Sequence, residues 1–111
     1  MLAQAVRPRD PLAALSNPRR REILRLVWTK ERSAGEIAAA FAVSWPATSQ
    51  NLRVLKSAGL VRERRNGTSR LYRADRNALR PLEAYLRRMW LRDIDRLRLL
   101  AEAEEKRRSK S

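Results

Sequence analysis

The side chains best suited to chemistry in this sequence lie in the stretch Ser44–Leu55. Ser44 is a typical helix N-cap, and a proline two residues later fits a first helical turn because it lacks an amide donor that this turn cannot use. The outward positions of the resulting helix carry small, amide-bearing or cationic side chains: Ala47, Ser49, Gln50 and Arg53. Such a face suits the major groove of DNA, where Gln pairs with adenine, Arg with guanine, and Ser with a base or a phosphate. An ordinary solvated surface helix has a similar face, so the neighbouring elements must decide between the two interpretations.

A shorter helix is predicted just before this stretch. Ser33 and Glu36 form a capping box, S-x-x-E, ahead of an apolar run and after a polar connector at 30–32. Leu52 and Leu55 give the second helix an inward apolar stripe. About three residues join the two helices, which is typical of a helix-turn-helix, in which the first helix braces the second, the recognition helix.

A basic hairpin is predicted directly after the recognition helix. Asn66-Gly67 between two strand-like runs is the strongest short-range hairpin signal. A two-residue loop at this dipeptide predicts two facing pairs: Glu63 with Arg70 and Val61 with Tyr72. Five arginines in the hairpin favour a wing that lies along phosphates or reaches into a minor groove. An edge hairpin protected by its charge is the alternative, and the order of the elements favours the wing.

Two helices are predicted at the start of the domain. Asp10 is placed to cap a short helix, and Asn17 to cap a second one that runs to about Thr29. Arg19–Arg21 crowd the first turn of the second helix, where cations oppose the helix dipole. Either bound phosphates offset that cost, or the nearby carboxylate of Glu22 partly neutralises the positive charge.

A helix spanning about 76–106 is predicted at the end of the sequence, with Pro81 near its first turns. At 1.5 Å per residue it would be ~40 Å long, too long for so small a domain to bury its apolar seam. The seam consists of large apolar residues: Leu79, Leu82, Leu86, Met89, Trp90, Ile94, Leu97 and Leu100. A partner helix, most simply from a second subunit, explains the seam, and a helix that wraps its own domain is the alternative.

The composition excludes several classes of function. The 111 residues include 26 basic and 12 acidic ones, and a net charge of +14 favours nucleic acid as the partner, with a membrane surface second. Neither Cys nor His is present, which excludes disulfides and most zinc, copper and nickel sites and argues against an enzyme. The sequence has no apolar run long enough for a signal peptide or a membrane span. We therefore expect a cytoplasmic protein without a cofactor or a metal.

Four segments resemble the ArsR-type (arsenical-resistance repressor) winged-helix regulators: ALSNPRRREIL (14–24), SAGEIA (33–38), NLRVLKSAGLV (51–61) and RRNGTSRLY (64–72). The resemblance covers about residues 12–91 and implies a mainly α-helical winged helix-turn-helix with a small β-hairpin. From the sequence pattern we expect this domain to span 10–106, after a flexible arm at 1–9 and before a basic tail at 107–111. The resemblance also implies a homodimer joined through the first and last helices, at about 10–16 and 76–106. Two recognition helices would then enter successive major grooves of a palindromic operator and repress transcription.

The expected dimer contacts come from both of these helices: Leu12, Leu15, Leu82, Leu86, Met89, Trp90, Ile94 and Leu97. The expected base contacts are the outward residues of the recognition helix named above. The expected phosphate contacts lie on that helix and on the wing: Ser44, Asn51, Lys56, Arg64, Arg65, Thr68 and Arg70.

The sequence departs from the family pattern in three ways. Metal-sensing members carry Cys pairs at the start of the bracing helix or His and carboxylates in the last one, so this chain resembles a metal-independent branch. Trp45 stands where relatives commonly have a polar residue, and it packs either on the DNA or on the neighbouring helix. Thr48 replaces a usual Val, and we expect its methyl to pack inward while its hydroxyl bonds back to the preceding turn.

Two other functions fit parts of this pattern. A non-specific or nucleoid-associated nucleic-acid binder would need only the positive charge. An antitoxin-like protein-interaction module would use an exposed Trp45 to mask a partner. The sequence does not identify an effector: it could be a small molecule bound between the long helices or a protein partner, or regulation could involve nothing beyond autoregulation.

Overall fold

The computed structural model describes residues 10–41 and 43–110, with the side chains of 95–102 and 109–110 left out. The predicted arm at 1–9 and the side chains of two seam residues, Leu97 and Leu100, lie outside these described residues. The elements follow in this order: α1 Pro11–Leu15, α2 Pro18–Leu26, β1 Arg32–Ser33, α3 Ala34–Phe41, α4 Trp45–Ser57, β2 Val61–Asn66, β3 Ser69–Ala74, α5 Arg76–Leu79, a 3-10 turn at Arg80–Leu82, and α6 Glu83–Lys110. The chain divides into two compact units at Pro81, and each is described by itself. None of the described helices is long and apolar enough to cross a membrane.

The helix starts follow the local signals in the sequence. The Asp10 carboxylate accepts from the amide of Leu12 at 3.0 Å, and the Asn17 side chain accepts from the amide of Arg19 at 2.8 Å. Each cap satisfies a first-turn amide that has no partner within its own helix. The predicted starts of α1 and α2 are therefore confirmed.

The predicted capping box also forms at the start of α3. The amide of Glu36 donates to Ser33 Oγ at 3.1 Å, while Glu36 Oε1 accepts from the amide of Ser33 at 2.9 Å. These bonds lower the pKa of Glu36, chiefly through the backbone amide of Ser33. The reciprocal pair sets where the bracing helix begins.

The sheet contains a strand that the sequence did not predict. Arg32 and Ser33, expected in a polar connector and a cap, form β1 and pair antiparallel with β3 opposite Tyr72 and Leu71. The sheet order is β1-β3-β2, so the second strand of the hairpin is central. A two-residue strand carries no alternation that could reveal it, because only its tertiary partner defines it.

The hairpin register differs from the predicted one by two residues. Asn66 pairs with Ser69, so the loop is Gly67-Thr68, and Glu63 faces Tyr72 rather than Arg70. Gly67 occupies the first loop position with φ +64°, a backbone conformation that favours glycine. The predicted pairing of Val61 with Tyr72 is likewise wrong, since Val61 faces Ala74. A shift by two keeps every side chain on its predicted face.

Two of the arginines at the start of α2 donate to the end of α1. Arg20 Nε donates to the carbonyl of Ala14 at 2.7 Å, and Arg21 Nη1 donates to the carbonyl of Leu15 at 2.8 Å. Both carbonyls lie at the end of α1, where cations are favoured by the helix dipole. Burial lowers the pKa of Arg20, and Arg21 is buried. These two side chains therefore join α1 to α2.

The second helix is shorter than predicted. It ends at Leu26 rather than near Thr29. The carbonyl of Val27 accepts from the amide of Ala74 at 3.0 Å, and this bond to the end of β3 replaces continuation of the helix.

A single core fills the first unit. Its fully buried large side chains come from all the helices before Pro81 and from the start of the hairpin: Leu15, Ile23, Leu24, Ile37, Leu55, Leu60 and Leu79. The inward stripe predicted for the recognition helix is confirmed, because Leu52 and Leu55 are both buried.

The last helical segment is interrupted rather than continuous. Asp75 caps α5 by accepting from the amide of Ala78 at 3.1 Å, and a 3-10 turn around Pro81 then precedes α6. Proline cannot donate within a helix, which explains the interruption. The second unit is mainly α6, which continues to Lys110 instead of ending near Lys106, so residues expected in a basic tail are helical.

The apolar seam of α6 has buried and exposed members. Leu86 and Trp90 are buried, whereas Leu82 and Met89 are partly exposed. Ile94 is 43% exposed, and so is its neighbour Leu91 at 63%. Exposed side chains of this size are the ones that a second subunit could cover.

Candidate nucleic-acid interface

The recognition helix α4 presents the predicted base-contacting face to solvent. Ala47, Ser49, Gln50 and Arg53 are all exposed, while Thr48 between them is fully buried. Arg53 makes no hydrogen bond or ion pair with any residue in the described part of the chain. Amide and guanidinium groups placed this way are free to reach base edges in a major groove.

Two of the predicted phosphate contacts on α4 also have roles within the chain. Ser44 Oγ accepts from the amide of Ala47 at 3.3 Å, which caps the helix and leaves the hydroxyl proton as a donor. Asn51 Oδ1 accepts from Arg20 Nη1 at 3.4 Å. This contact turns the amide nitrogen of Asn51, a donor, away from Arg20. Asn51 is half-buried, whereas the other predicted DNA contacts are exposed.

Trp45 lies at the first position of α4 and is 58% exposed. It lines an open cleft of about 510 Å³ together with Ser49, Thr68 and Arg70 from the predicted site. The start of α3 also lines this cleft, and a Cβ added to Gly35 would lie 3.9 Å from the indole ring. One edge of the ring thus lies near the bracing helix while the rest remains open to a ligand. The residues of α3 in this cleft were not predicted from the sequence.

Glu63 lies between the recognition helix and the wing. Its carboxylate accepts from Lys56 Nζ and from the Tyr72 hydroxyl, each at 2.7 Å, and forms an ion pair with Arg70 at 3.4 Å. The bonds from Lys56 and Tyr72 lower the pKa of Glu63 to about 2. Burial, and then the bond to Glu63, raises the pKa of Tyr72 to about 12. The predicted pairing of Glu63 with Arg70 thus forms diagonally, although the two are not opposite each other.

The arginines of the wing fall into two groups. Arg64 donates to both carboxylate oxygens of Glu31, at 2.7 and 2.8 Å, which lowers the pKa of Glu31 and raises that of Arg64. Arg62 pairs with Asp75 at 3.1 Å. Arg65 is exposed and has no such partner among the described residues. Arg65 is therefore the wing cation of the predicted site that is readily available to a phosphate.

The buried hydroxyl of Thr48 does not bond back to the preceding turn as expected. Thr48 Oγ1 is buried and has no hydrogen-bond partner in the described structure. The carbonyl of Ser44, the acceptor one turn earlier, already receives the amide of Thr48 at 3.0 Å. A buried hydroxyl without a partner is destabilising.

We therefore expect Thr48→Val to raise the free energy of unfolding by about 1 kcal/mol, because it removes an unpaired buried polar group with little change of shape. The midpoint of urea denaturation measures this change. Thr29→Val, at an exposed position, is the matched control, expected to change stability by less than about 0.5 kcal/mol. A lower midpoint for Thr48→Val would show that the hydroxyl has a partner in solution.

Comparisons with known proteins agree with this geometry. The model for "bacterial regulatory protein, arsR family" matches residues 17–63, from the cap of α2 to the middle of β2. The HTH-type transcriptional regulator Rv2034 of Mycobacterium tuberculosis is 38% identical over 91 residues, which cover 82% of this chain and 85% of that protein.

Solved structures give the same result. A possible transcriptional regulator for arsenical resistance superposes with a TM-score of 0.63 at 40% identity, over 79% of this chain and 92% of that one. The homodimeric winged helix-turn-helix DNA-binding domain Mb0332 of Mycobacterium bovis superposes with a TM-score of 0.64 at 38% identity, over 79% of each chain. The chain therefore belongs to the ArsR family of bacterial regulatory proteins, and it is a transcriptional regulator with a DNA-binding winged helix rather than an enzyme.

Proposed function

We propose that the protein is a sequence-specific repressor that binds double-stranded DNA as a homodimer on a palindromic operator. The observation that carries this proposal is the outward face of α4, where Ser49, Gln50 and Arg53 are exposed beside a basic wing. Gln and Arg side chains discriminate between bases, whereas a binder that reads only phosphates needs cations alone.

Dimer formation is supported from two directions. Mb0332, a structural neighbour, is homodimeric. In this chain, Leu12 on α1 and Leu91 and Ile94 on α6 are large apolar side chains exposed to solvent. Leu15 and Leu86 are already buried, so in the proposed interface they would support the exposed residues rather than contact the partner first.

The proposed regulator does not respond to a transition metal through the ligands that metal-sensing relatives use. The sequence contains no Cys and no His, the residues that supply thiolate and imidazole ligands. The effector, if there is one, would be a small molecule or a protein. We also propose a cytoplasmic location, where the DNA lies.

Selection of bound sequences from random DNA tests the proposal. We expect a palindrome whose half-sites lie one helical turn apart, because two-fold symmetry places the two recognition helices in successive major grooves. Enrichment of no sequence would instead support a non-specific binder, for which the charge of +14 suffices.

Arg65, an exposed wing cation without an ion-pair partner among the described residues, gives a second test. We expect Arg65→Ala to weaken binding to operator and random DNA alike and to reduce the salt slope by roughly one unit, because it removes one phosphate contact. Fluorescence anisotropy at several salt concentrations measures both quantities. Arg88→Ala, an exposed arginine on α6, controls for the loss of one positive charge. A loss confined to the operator would show that Arg65 reads bases.

A protein-interaction module is the second candidate, and the exposure of Trp45 favours it. Aromatic side chains are enriched at the centres of protein interfaces. A stoichiometric acidic protein that copurifies with the chain, and that Trp45→Ala releases, would establish this function.

A further inference from the structure

We propose that Glu63 is a specificity-determining residue of the DNA interface, which holds Lys56 and Arg70 to the body of the protein and so limits their binding to the phosphates of non-operator DNA. This inference rests on the proposed function as a sequence-specific DNA binder.

The Glu63 carboxylate lies where the recognition helix meets the wing. Glu63 comes from β2, Lys56 from the last turn of α4, and Arg70 from β3, so the cluster joins the recognition helix to both strands of the wing. The four side chains of Glu63, Lys56, Arg70 and Arg53 help line a cleft of about 180 Å³. In the described residues Glu63 is the acidic member of this cleft.

Glu63 and its two cationic partners differ in exposure to solvent. The Glu63 side chain is only 15% exposed, whereas those of Lys56 and Arg70 are 53% and 55% exposed. The carboxylate is therefore shielded from DNA, while both cations could reach a phosphate if they were released. Tyr72 donates to the second carboxylate oxygen at 2.7 Å and holds the group in place.

Glu63 therefore affects binding to non-operator DNA more than binding to an operator. In a non-specific complex the protein has no fixed register, so long cationic side chains gain affinity by adapting to whichever phosphate is near. Glu63 neutralises part of the charge on Lys56 and Arg70 and restrains both side chains, so a phosphate must compete with the carboxylate for them. On an operator, base contacts from α4 fix the register, and binding depends less on such adaptation.

The test compares Glu63→Gln with the unchanged protein on selected operator DNA and on random DNA across a range of salt. Gln keeps the size of the side chain and an oxygen that can accept from Tyr72. We expect affinity for random DNA to rise about five- to tenfold and its salt slope to steepen by roughly one to two units, since each added phosphate contact contributes about 0.9. Operator affinity should change by less than about twofold, so the ratio of operator to random affinity falls about fivefold.

Three further variants make the outcome specific. Glu83→Gln, in an exposed pair with Arg87, adds the same charge elsewhere and should leave the ratio unchanged. Tyr72→Phe removes one bond to Glu63 without releasing charge and should leave the salt slope unchanged. Adding Lys56→Gln to Glu63→Gln should reverse about half of the steeper slope. Equal effects of Glu63→Gln and Glu83→Gln, or a double variant that keeps the full slope, would overturn the inference.

The two proposals fail in different ways. If the unchanged protein prefers no DNA sequence, the proposed function fails and this inference fails with it. If the unchanged protein prefers an operator but Glu63→Gln alters neither the ratio nor the slope, only the role of Glu63 is refuted.

Discussion

Replacing Ile94 with Asp is expected to separate the proposed dimer into monomers and to weaken operator binding by about 10²- to 10⁴-fold. Ile94 is 43% exposed on α6, and a carboxylate there would have to be buried without a partner when two subunits associate. A monomer binds one half-site only, and it loses the gain in affinity that comes from linking two binding events. Analytical ultracentrifugation measures the dissociation, and anisotropy measures the binding.

The matched control is Arg92→Gln. Arg92 is exposed and lies two residues from Ile94, on the opposite side of the helix, and both variants lower the net charge by one. The control should remain dimeric and lose only the small affinity expected for one distant charge. A dimer that persists in Ile94→Asp would place the subunit interface elsewhere on the chain.

Gln50→Ala is expected to relax specificity at one base pair of each half-site by about 1–3 kcal/mol. The carboxamide of Gln50 is exposed on the outward face of α4 and can pair with both polar atoms of an adenine edge. Removing this carboxamide therefore lowers the affinity for operators with the preferred base more than the affinity for operators with any of the other three bases. Binding of the variant to operators substituted at each position in turn measures the change.

Ser57→Ala is the control on the same helix. Ser57 is exposed at the end of α4, outside the proposed contacts, and its loss should leave all operators equally well bound. If Gln50→Ala lowers affinity for every operator by the same factor, Gln50 contacts the backbone and the base is read by another residue.

The features that the sequence predicted correctly are those determined by near neighbours. Each helix start depends on residues only two or three positions apart: the caps at Asp10, Asn17 and Ser44 and the capping box of Ser33 and Glu36. Local bonds of this kind satisfy helix-end amides whatever surrounds the helix. The inward and outward faces of α4 followed in the same way, from the helical period.

The features that the sequence did not predict depend on distant partners. Strand β1 exists because Arg32 meets Tyr72, forty residues later, and no local pattern encodes that meeting. The bonds from Arg20 and Arg21 to the end of α1 were not predicted, because the turn between α1 and α2 decides which carbonyls the two guanidinium groups meet. The hairpin register depended on which of two loop positions Gly67 would occupy, and the dipeptide alone allowed both.

In the candidate site, too, local features were predicted from the sequence and long-range contacts were not. The exposed face of α4 was predictable, whereas the partners of the wing cations were not, since Glu31 reaches Arg64 from before α3. One signal for Glu63 was present, because it is the single acidic residue among five arginines in the hairpin. Its partner Lys56 could be recognised only once α4 and the wing were placed together.

Arg20 has a consequence for the thermodynamics of the proposed dimer. The same guanidinium donates to the carbonyl of Ala14 in α1 and to Asn51 in α4, so one side chain connects a helix of the expected subunit interface to an expected DNA contact. If association shifts α1, it changes the position of Arg20 and hence the orientation of Asn51. Thermodynamic linkage then makes the effect reciprocal. If dimer formation multiplies the affinity for DNA by some factor, bound DNA multiplies the affinity of one subunit for the other by the same factor.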